Sequence, residues 1–231
     1  MNRLIIIGAS GHGKVVADIA ALNGYEEIVF LDDDESIKNC SEWPVVGKST
    51  EPPEGEVFVA VGNAEIRQRL MGLYKDREQP ILLHPSAVVA AGVLIGEGSA
   101  VMAGAVINSG VKIGRGVIVN TSSSIDHDCS VGDYCHIAVG AHLCGTVTVG
   151  ENTWIGAGST ISNNVSICSN TTIGAGAVVI GDIKEKGTYV GVPAKNIHKL
   201  KLTAGGYCSA RIKLNNGSSV VAHSWQHRRA A

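Results

Sequence analysis

From Val89 to Val179 an aliphatic residue stands at every sixth position, sixteen times without a miss (Val89, Ile95, Val101 and onward to Ile167, Ile173 and Val179). Two places earlier in each repeat the side chain is always Ala, Val, Ser, Cys or Thr. A six-residue period with small and β-branched inward positions predicts a hexapeptide β-helix, in which each flat face uses six residues and three faces close one coil of eighteen. Residues eighteen apart then stack at the strand spacing of about 4.8 Å. Sixteen repeats make a little over five coils. Cys129 and Cys135 fall on small-residue places and are expected to be packing residues.

The pattern before the repeat is different. "RLIIIG" predicts a buried parallel strand, and "KVVADIAALNG" has helical spacing that stops at Gly24. "EEIVFLDDD" predicts a second strand, and "EVFVAVGNAEIRQRLMGLY" a third, followed by Gly62-Asn63 and a helix. Three βα units make half of a doubly wound α/β fold, whose ligand crevice lies beyond the strand C-termini. The chain is therefore expected to divide into a Rossmann-like half-domain over 1–82, a β-helix over 83–200, and a tail over 201–231. The tail has neither the hexad nor a clear helical period, and is expected to be non-native, such as a cloning or frameshift scar, or disordered, with a real extension as the alternative.

From Gly8 to Lys14 the spacing G-x-x-x-x-G-K is that of a phosphate-binding P-loop, but Val15 stands where the loop needs Ser or Thr to hold Mg²⁺. What survives is anion binding by a glycine turn at a helix N-terminus, with a tight βα connection as the alternative reading of the same glycines. Asp32 and Asp33 lie near the distance at which a Rossmann-like unit sets a carboxylate on a ribose hydroxyl. A solvated acidic strand end fits the same spacing equally well.

Composition narrows the classes further. A net charge of −2 without a Lys/Arg run leaves no electrostatic footprint for nucleic acid. The opening apolar run passes into a glycine turn, so neither a signal peptide nor a membrane span is expected, and the protein is expected in the cytoplasm. Six scattered cysteines without a C-x-x-C pair fit neither a zinc site nor a disulfide scaffold. Aromatics make up 4% against 29 glycines, which suits a repetitive β architecture.

Coil corners favour residues that accept positive φ, and Gly96, Gly114, Gly132 and Gly150 are expected to meet that need. Another column breaks the rule with Asn108, Asp126 and Cys144, the middle one opening "DHD". His127 should project from this corner, with Asp126 and Asp128 raising its basicity, as a general base requires. Gly145, eighteen residues on, should stack above it and offer a backbone N–H to an oxyanion. His136 lies half a coil away and would reach that site only from a neighbouring subunit. A solvated turn at His127, or a metal held by His127, His136 and His142, is the competing reading, although their spacings of nine and six do not match a helical metal site.

"GASGHGKVVADIA", "FLDDD", "VAVGN", "LLHPSAVV", "NTSSSIDHDCSVGDYCHIAVGAHLCGTVTVG" and "GVPAK" together resemble the sialic acid O-acetyltransferase and bacillosamine-type sugar acetyltransferase family over residues 1 to about 200. The resemblance implies a left-handed β-helix, a homotrimer, and acetyl-CoA bound between subunits as co-substrate. It implies that His127 is the proton acceptor, with Asp128 tuning it. His136 and the Gly145 amide would lie at the acetyl group, and Ala157 and Ala175 along the pantetheine arm. Ser10, Gly11, His12, Asp32, Asp33 and Gly62 would face a UDP-sugar. The expected activity is acetylation of a UDP-linked 4-amino-sugar for surface glycans. O-acetylation of a sialic acid or a related sugar hydroxyl is the alternative within enzymes, and a non-catalytic nucleotide-sugar scaffold the alternative outside them.

Overall fold

A computed structural model describes residues 2–197 and two further strands, Cys208–Lys213 and Ser219–Ser224, which pair antiparallel. Most of the expectation for 201–231 falls outside these described residues; the described part of the tail is this strand pair.

The first unit is β1 (Arg3–Ile7), α1 (Gly11–Leu22), β2 (Glu27–Leu31), β3 (Asn39–Cys40), β4 (Trp43–Gly47), β5 (Glu56–Val59) and α2 (Ala64–Leu73). They form one sheet in the order β3-β4-β2-β1-β5, with β1 parallel to both β2 and β5. β1 carries Leu4, Ile5 and Ile6 fully buried, as a strand covered on both faces requires. The expected three βα units are corrected to two: β2 is followed by the β3–β4 hairpin, not by a helix. Asp32 Oδ1 accepts the Asp34 N–H and Asp34 Oδ1 the Ser36 N–H, two Asx turns that bend the chain where a helix would begin.

From Leu82 onward the chain winds into a parallel β-helix whose three faces have six, five and eight strands, the final strand of the eight, Lys195–Asn196, pairing antiparallel. Strands eighteen residues apart pair in register, as Ile107 with Ile125 and Ile125 with Leu143. The hexad side chains form one continuous core in which Ile107, Ile125, Ile137 and Ile155 are wholly buried, together with the packing cysteines Cys129 and Cys135. Outward residues distinguish the faces. Lys112, Ser130, Thr148 and Ser166 on the five-stranded face are exposed. On the eight-stranded face Leu82, Ala100 and Ile118 are buried in one cluster with Val16, Ile19 and Ala20 of α1. On the far side of the first sheet, Met71 of α2 shares a second cluster with Tyr134 of the coil. The two units are thus joined by apolar packing.

The reason given for one glycine column is also corrected. Positive φ occurs at Gly98, Gly116, Tyr134, Asn152 and Asn170, not at Gly96, Gly114, Gly132 or Gly150. The latter four are glycine because the next coil passes too close: a Cβ on Gly114 would sit 2.2 Å from Asp133 Oδ1, and one on Gly150 2.4 Å from the Ser169 nitrogen. Among the described residues no helix is long and apolar enough to cross a membrane.

Candidate active site

His127 stands on the corner that follows the strand Ser124–Ile125, with its side chain about half exposed. Its Nδ1 lies 2.9 Å from Asp128 Oδ2, and the carboxylate can only accept, so Nδ1 carries the proton and Nε2 is left as the free base. Asp126 Oδ1 accepts the His127 backbone N–H at 2.8 Å and is itself held by Asn108 Nδ2 at 2.8 Å. The Asp128 hydrogen bond, and then the Asp126 charge, raise the imidazole pKa above its ordinary value. Asp128 takes φ +59°, a left-handed corner that Asp tolerates better than most residues.

One coil further on, Gly145 covers this ring. A Cβ there would lie 2.6 Å from His127 Nε2 and 2.7 Å from Cε1, so only glycine leaves the base in place. Thr146 donates its N–H to the His127 carbonyl at 2.9 Å and adopts φ +62°, a strained value for a β-branched residue. The Gly145 carbonyl accepts from Asn164, while its own N–H has no acceptor among the described residues. A base nitrogen and a free backbone donor are therefore adjacent on one corner.

His136 lies on another face, in the strand His136–Ile137, and is buried. Its ring packs 4.3 Å from Trp154 and 6.5 Å from His12, so the structure brings together two residues expected on different substrates. Asn120 fixes the tautomer. Its Oδ1 accepts the Thr121 N–H at 2.8 Å, so the amide nitrogen faces His136 Nε2 at 3.0 Å, Nε2 accepts, and the proton resides on Nδ1. Burial, followed by the Arg67 charge, pushes His136 down to about 3 and His12 to about 4, so both rings are neutral.

A cleft of about 530 Å³ opens over His136, walled by Gly62, Asn63 and Glu65 on one side and by Tyr134, Asn152 and Trp154 on the other. A second, apolar groove of about 440 Å³ adjoins it across Trp154 and Thr172 and is lined by Ala157 and Ala175. These two small residues leave the coil surface open for an extended chain.

On the α/β side, Ser10 caps α1 without a side-chain cap bond, and Gly11 has open space where a Cβ would go. Gly8 at φ +107° turns the chain, while Gly13 is required by contact, since its Cβ would meet the Gly8 carbonyl at 2.2 Å. Both carboxylates after β2 already have partners: Asp32 Oδ2 accepts from the Ala9 N–H at 2.7 Å, and Asp33 accepts from the Ser49 N–H and hydroxyl. Asp32 therefore braces the glycine turn. Asp32 and Asp33 also line a small cavity with Gly8, Ser49 and Arg69. Sequence reasoning missed Asn63, Arg67, Asn120 and Trp154. Asn63 was legible as an N-cap, since its Oδ1 accepts the Ile66 N–H at 3.0 Å; the other three have no local signal.

The site is carried by a glycine-turn α/β unit docked on a hexapeptide coil with a histidine corner. Residues 3–72 match the family model "PglD N-terminal domain" and residues 146–181 match "Bacterial transferase hexapeptide (six repeats)". The acetyltransferase domain of PglB from Neisseria gonorrhoeae is similar at 41% identity and a TM-score of 0.82, covering 85% of this chain and 100% of that one. The chain belongs to the PglD-type sugar N-acetyltransferase family.

PerB from Caulobacter crescentus, solved with CoA and GDP-perosamine, is similar at 37% identity and a TM-score of 0.80, covering 84% of this chain and 97% of that one. The UDP-N-acetylbacillosamine N-acetyltransferase of Bacillus subtilis is 32% identical over 119 residues, 45% of this chain and 52% of the relative. That match spans about half the length of the curated relative. None of these relatives is named as an O-acetyltransferase, so the sialic acid part of the resemblance has no support from them.

Proposed function

We propose that the protein transfers an acetyl group from acetyl-CoA to the amine of a nucleotide-linked 4-amino-sugar, a UDP-sugar by the resemblance of its sequence motifs, in glycan biosynthesis. The observation that carries this reading is the corner at which the free Nε2 of His127 faces Gly145, whose N–H has no acceptor. His127 Nε2 takes the proton from the attacking amine as the new C–N bond forms. The Gly145 N–H donates to the carbonyl oxygen as charge builds there, and the C–S bond breaks to release coenzyme A, whose sulfur takes the proton from His127 Nε2 and so restores the base. Asp128 holds the proton on Nδ1 and raises the affinity of Nε2 for its own.

The pantetheine arm lies along Ala157 and Ala175, in the apolar groove beside Trp154. His136 sits at the acyl end of that groove, and Ser10, Gly11, His12, Asp33 and Gly62 face the sugar nucleotide, with Asp32 acting through the turn it braces. The glycine turn holds the diphosphate of the sugar nucleotide without Mg²⁺, because no phosphate bond is broken. The corner of His127 and the cleft of His136 are on different faces of one coil, which fits a homotrimer in which neighbouring subunits complete each site. Both substrates are cytoplasmic metabolites, and the reaction belongs there.

The test is thiol release from acetyl-CoA, in EDTA, with UDP- and GDP-linked 4-amino-sugars and with free sialic acid as acceptors. Turnover with a UDP-linked amine supports the reading, a preference for the GDP-linked amine corrects the nucleotide, and turnover only with sialic acid overturns it. No turnover with any acceptor would favour the scaffold.

A further inference from the structure

Arg67 is the largest fully buried side chain in the described structure, 1% exposed, and no carboxylate pairs with it. An unpaired buried cation is costly unless every donor is met. Here every donor is. Nη1 donates to the Val61 carbonyl at 2.7 Å and the Gly62 carbonyl at 2.9 Å, both in the loop between β5 and α2. Nε donates to the Gly116 carbonyl at 2.8 Å, and Nη2 to the carbonyls of Tyr134 and Cys135, all on the coil. The five N–H groups thus divide by nitrogen, Nη1 to one unit and Nε with Nη2 to the other.

The two ends of this bridge are the two walls of one cleft. Gly62 and Asn63 follow the carbonyls held by Nη1, and Tyr134 and His136 belong to the strand and corner held by Nη2. We propose that Arg67 is a positioning residue whose guanidinium fork sets the distance between the Gly62–Asn63 wall and the Tyr134–His136 wall, so that the acceptor amine and the acyl donor meet in register. The proposal deepens the acetyl-transfer reading and rests on it for its kinetic consequence. It needs the fork and not the charge alone. An ammonium has three donors at one point and cannot reach carbonyls on both walls. The groove lined by Ala157 and Ala175 lies wholly on the coil, so binding of the acyl donor should not depend on the bridge.

The experiment compares the full chain with Arg67→Lys and Arg67→Gln, by steady-state kinetics and by amide hydrogen exchange over residues 60–66 and 133–137. A misplacement of about 1 Å costs on the order of 10²-fold in rate. Arg67→Lys is therefore expected to lower kcat by about 10- to 100-fold while KM for acetyl-CoA changes by less than about threefold. Exchange over 60–66 should rise about tenfold or more, the mark of a freed wall. If the buried ammonium prevents folding, Arg67→Gln, neutral and able to reach one wall only, is judged by the same two readouts. Normal kcat in either variant, or lost kcat with exchange unchanged over 60–66, overturns the proposal. So does failure of both variants to fold, which would make Arg67 a folding requirement instead of a positioning one. If the unaltered chain acetylates no nucleotide amino-sugar, the functional reading fails, and the exchange measurement still decides whether Arg67 holds the wall.

Discussion

Replacing Gly145 by alanine separates the geometry of the corner from its stability. The added Cβ would lie 2.6 Å from His127 Nε2 and 2.7 Å from Cε1, where carbon atoms at rest stand about 3.5–4.0 Å apart. The ring must therefore move by about 1 Å. It has room, because the His127 side chain is 54% exposed. Gly145 is also absent from the positive-φ glycines, so its backbone accepts alanine without strain. Unfolding should change by less than about 1 kcal/mol. Displacing the ring breaks its 2.9 Å bond to Asp128 and takes Nε2 from its place beside the backbone donor. A positioned general base contributes about 10²- to 10⁴-fold, so kcat for acetyl transfer should fall by about 10²- to 10³-fold. The assay is thiol release at saturating acetyl-CoA and amino-sugar, paired with thermal unfolding. Gly72→Ala in α2 is the control: nothing lies within 4 Å of its Cβ, and it should leave kcat unchanged. If Gly145→Ala kept kcat within about threefold of the parent, the role of His127 as base would be refuted.

The remaining expectations follow from the charges and from the assembly. The active form of a base is the deprotonated one, and Asp128 raises the pKa of His127. Asp128→Asn, which suits the left-handed corner, should therefore shift the acidic limb of the kcat/KM profile to lower pH; an unmoved limb would contradict the tuning role. His136 is held neutral, at about 3, with its proton on Nδ1. Imidazole ¹⁵N shifts should thus show one tautomer from pH 5 to 8, and Asn120→Leu should mix the two; titration near pH 6.5 would refute the assignment. Subunits carrying His127→Ala mixed with subunits carrying His136→Ala should regain a fraction of the parent activity if sites are shared; mixtures as inactive as their parents would argue for sites within single chains.

The coil was legible at once because a hexad repeat is its own register. Each inward place is set by a period that no other fold imposes, and Ile107, Ile125 and Leu143 are buried in the stack that the period requires. The histidine corner was legible for the same reason: eighteen-residue arithmetic puts Gly145 over His127, and that contact is present. The missing second helix was not legible, because side-chain-to-backbone bonds at Asp32 and Asp34 compete with helix initiation in a way that strand and helix patterns do not register. The glycine columns were found, but two causes were merged. Positive φ belongs to the places of Gly98 and Gly116, whereas Gly96 and Gly114 answer to the neighbouring coil.

Along the chain alone, periodicity determined the coil, its core and the corner that breaks the rule, since all three depend on spacings repeated within a few residues or one coil. Only the tertiary structure decided what Arg67, Asn120 and Trp154 do. Arg67 reads as one more charged residue on a polar helix face, yet its helix lies against the coil, and the side chain ends among five carbonyls up to 68 residues away. A buried polar group is defined by the partners that meet its donors and acceptors. Those partners come from distant segments that only docking of the α/β sheet on the coil brings together.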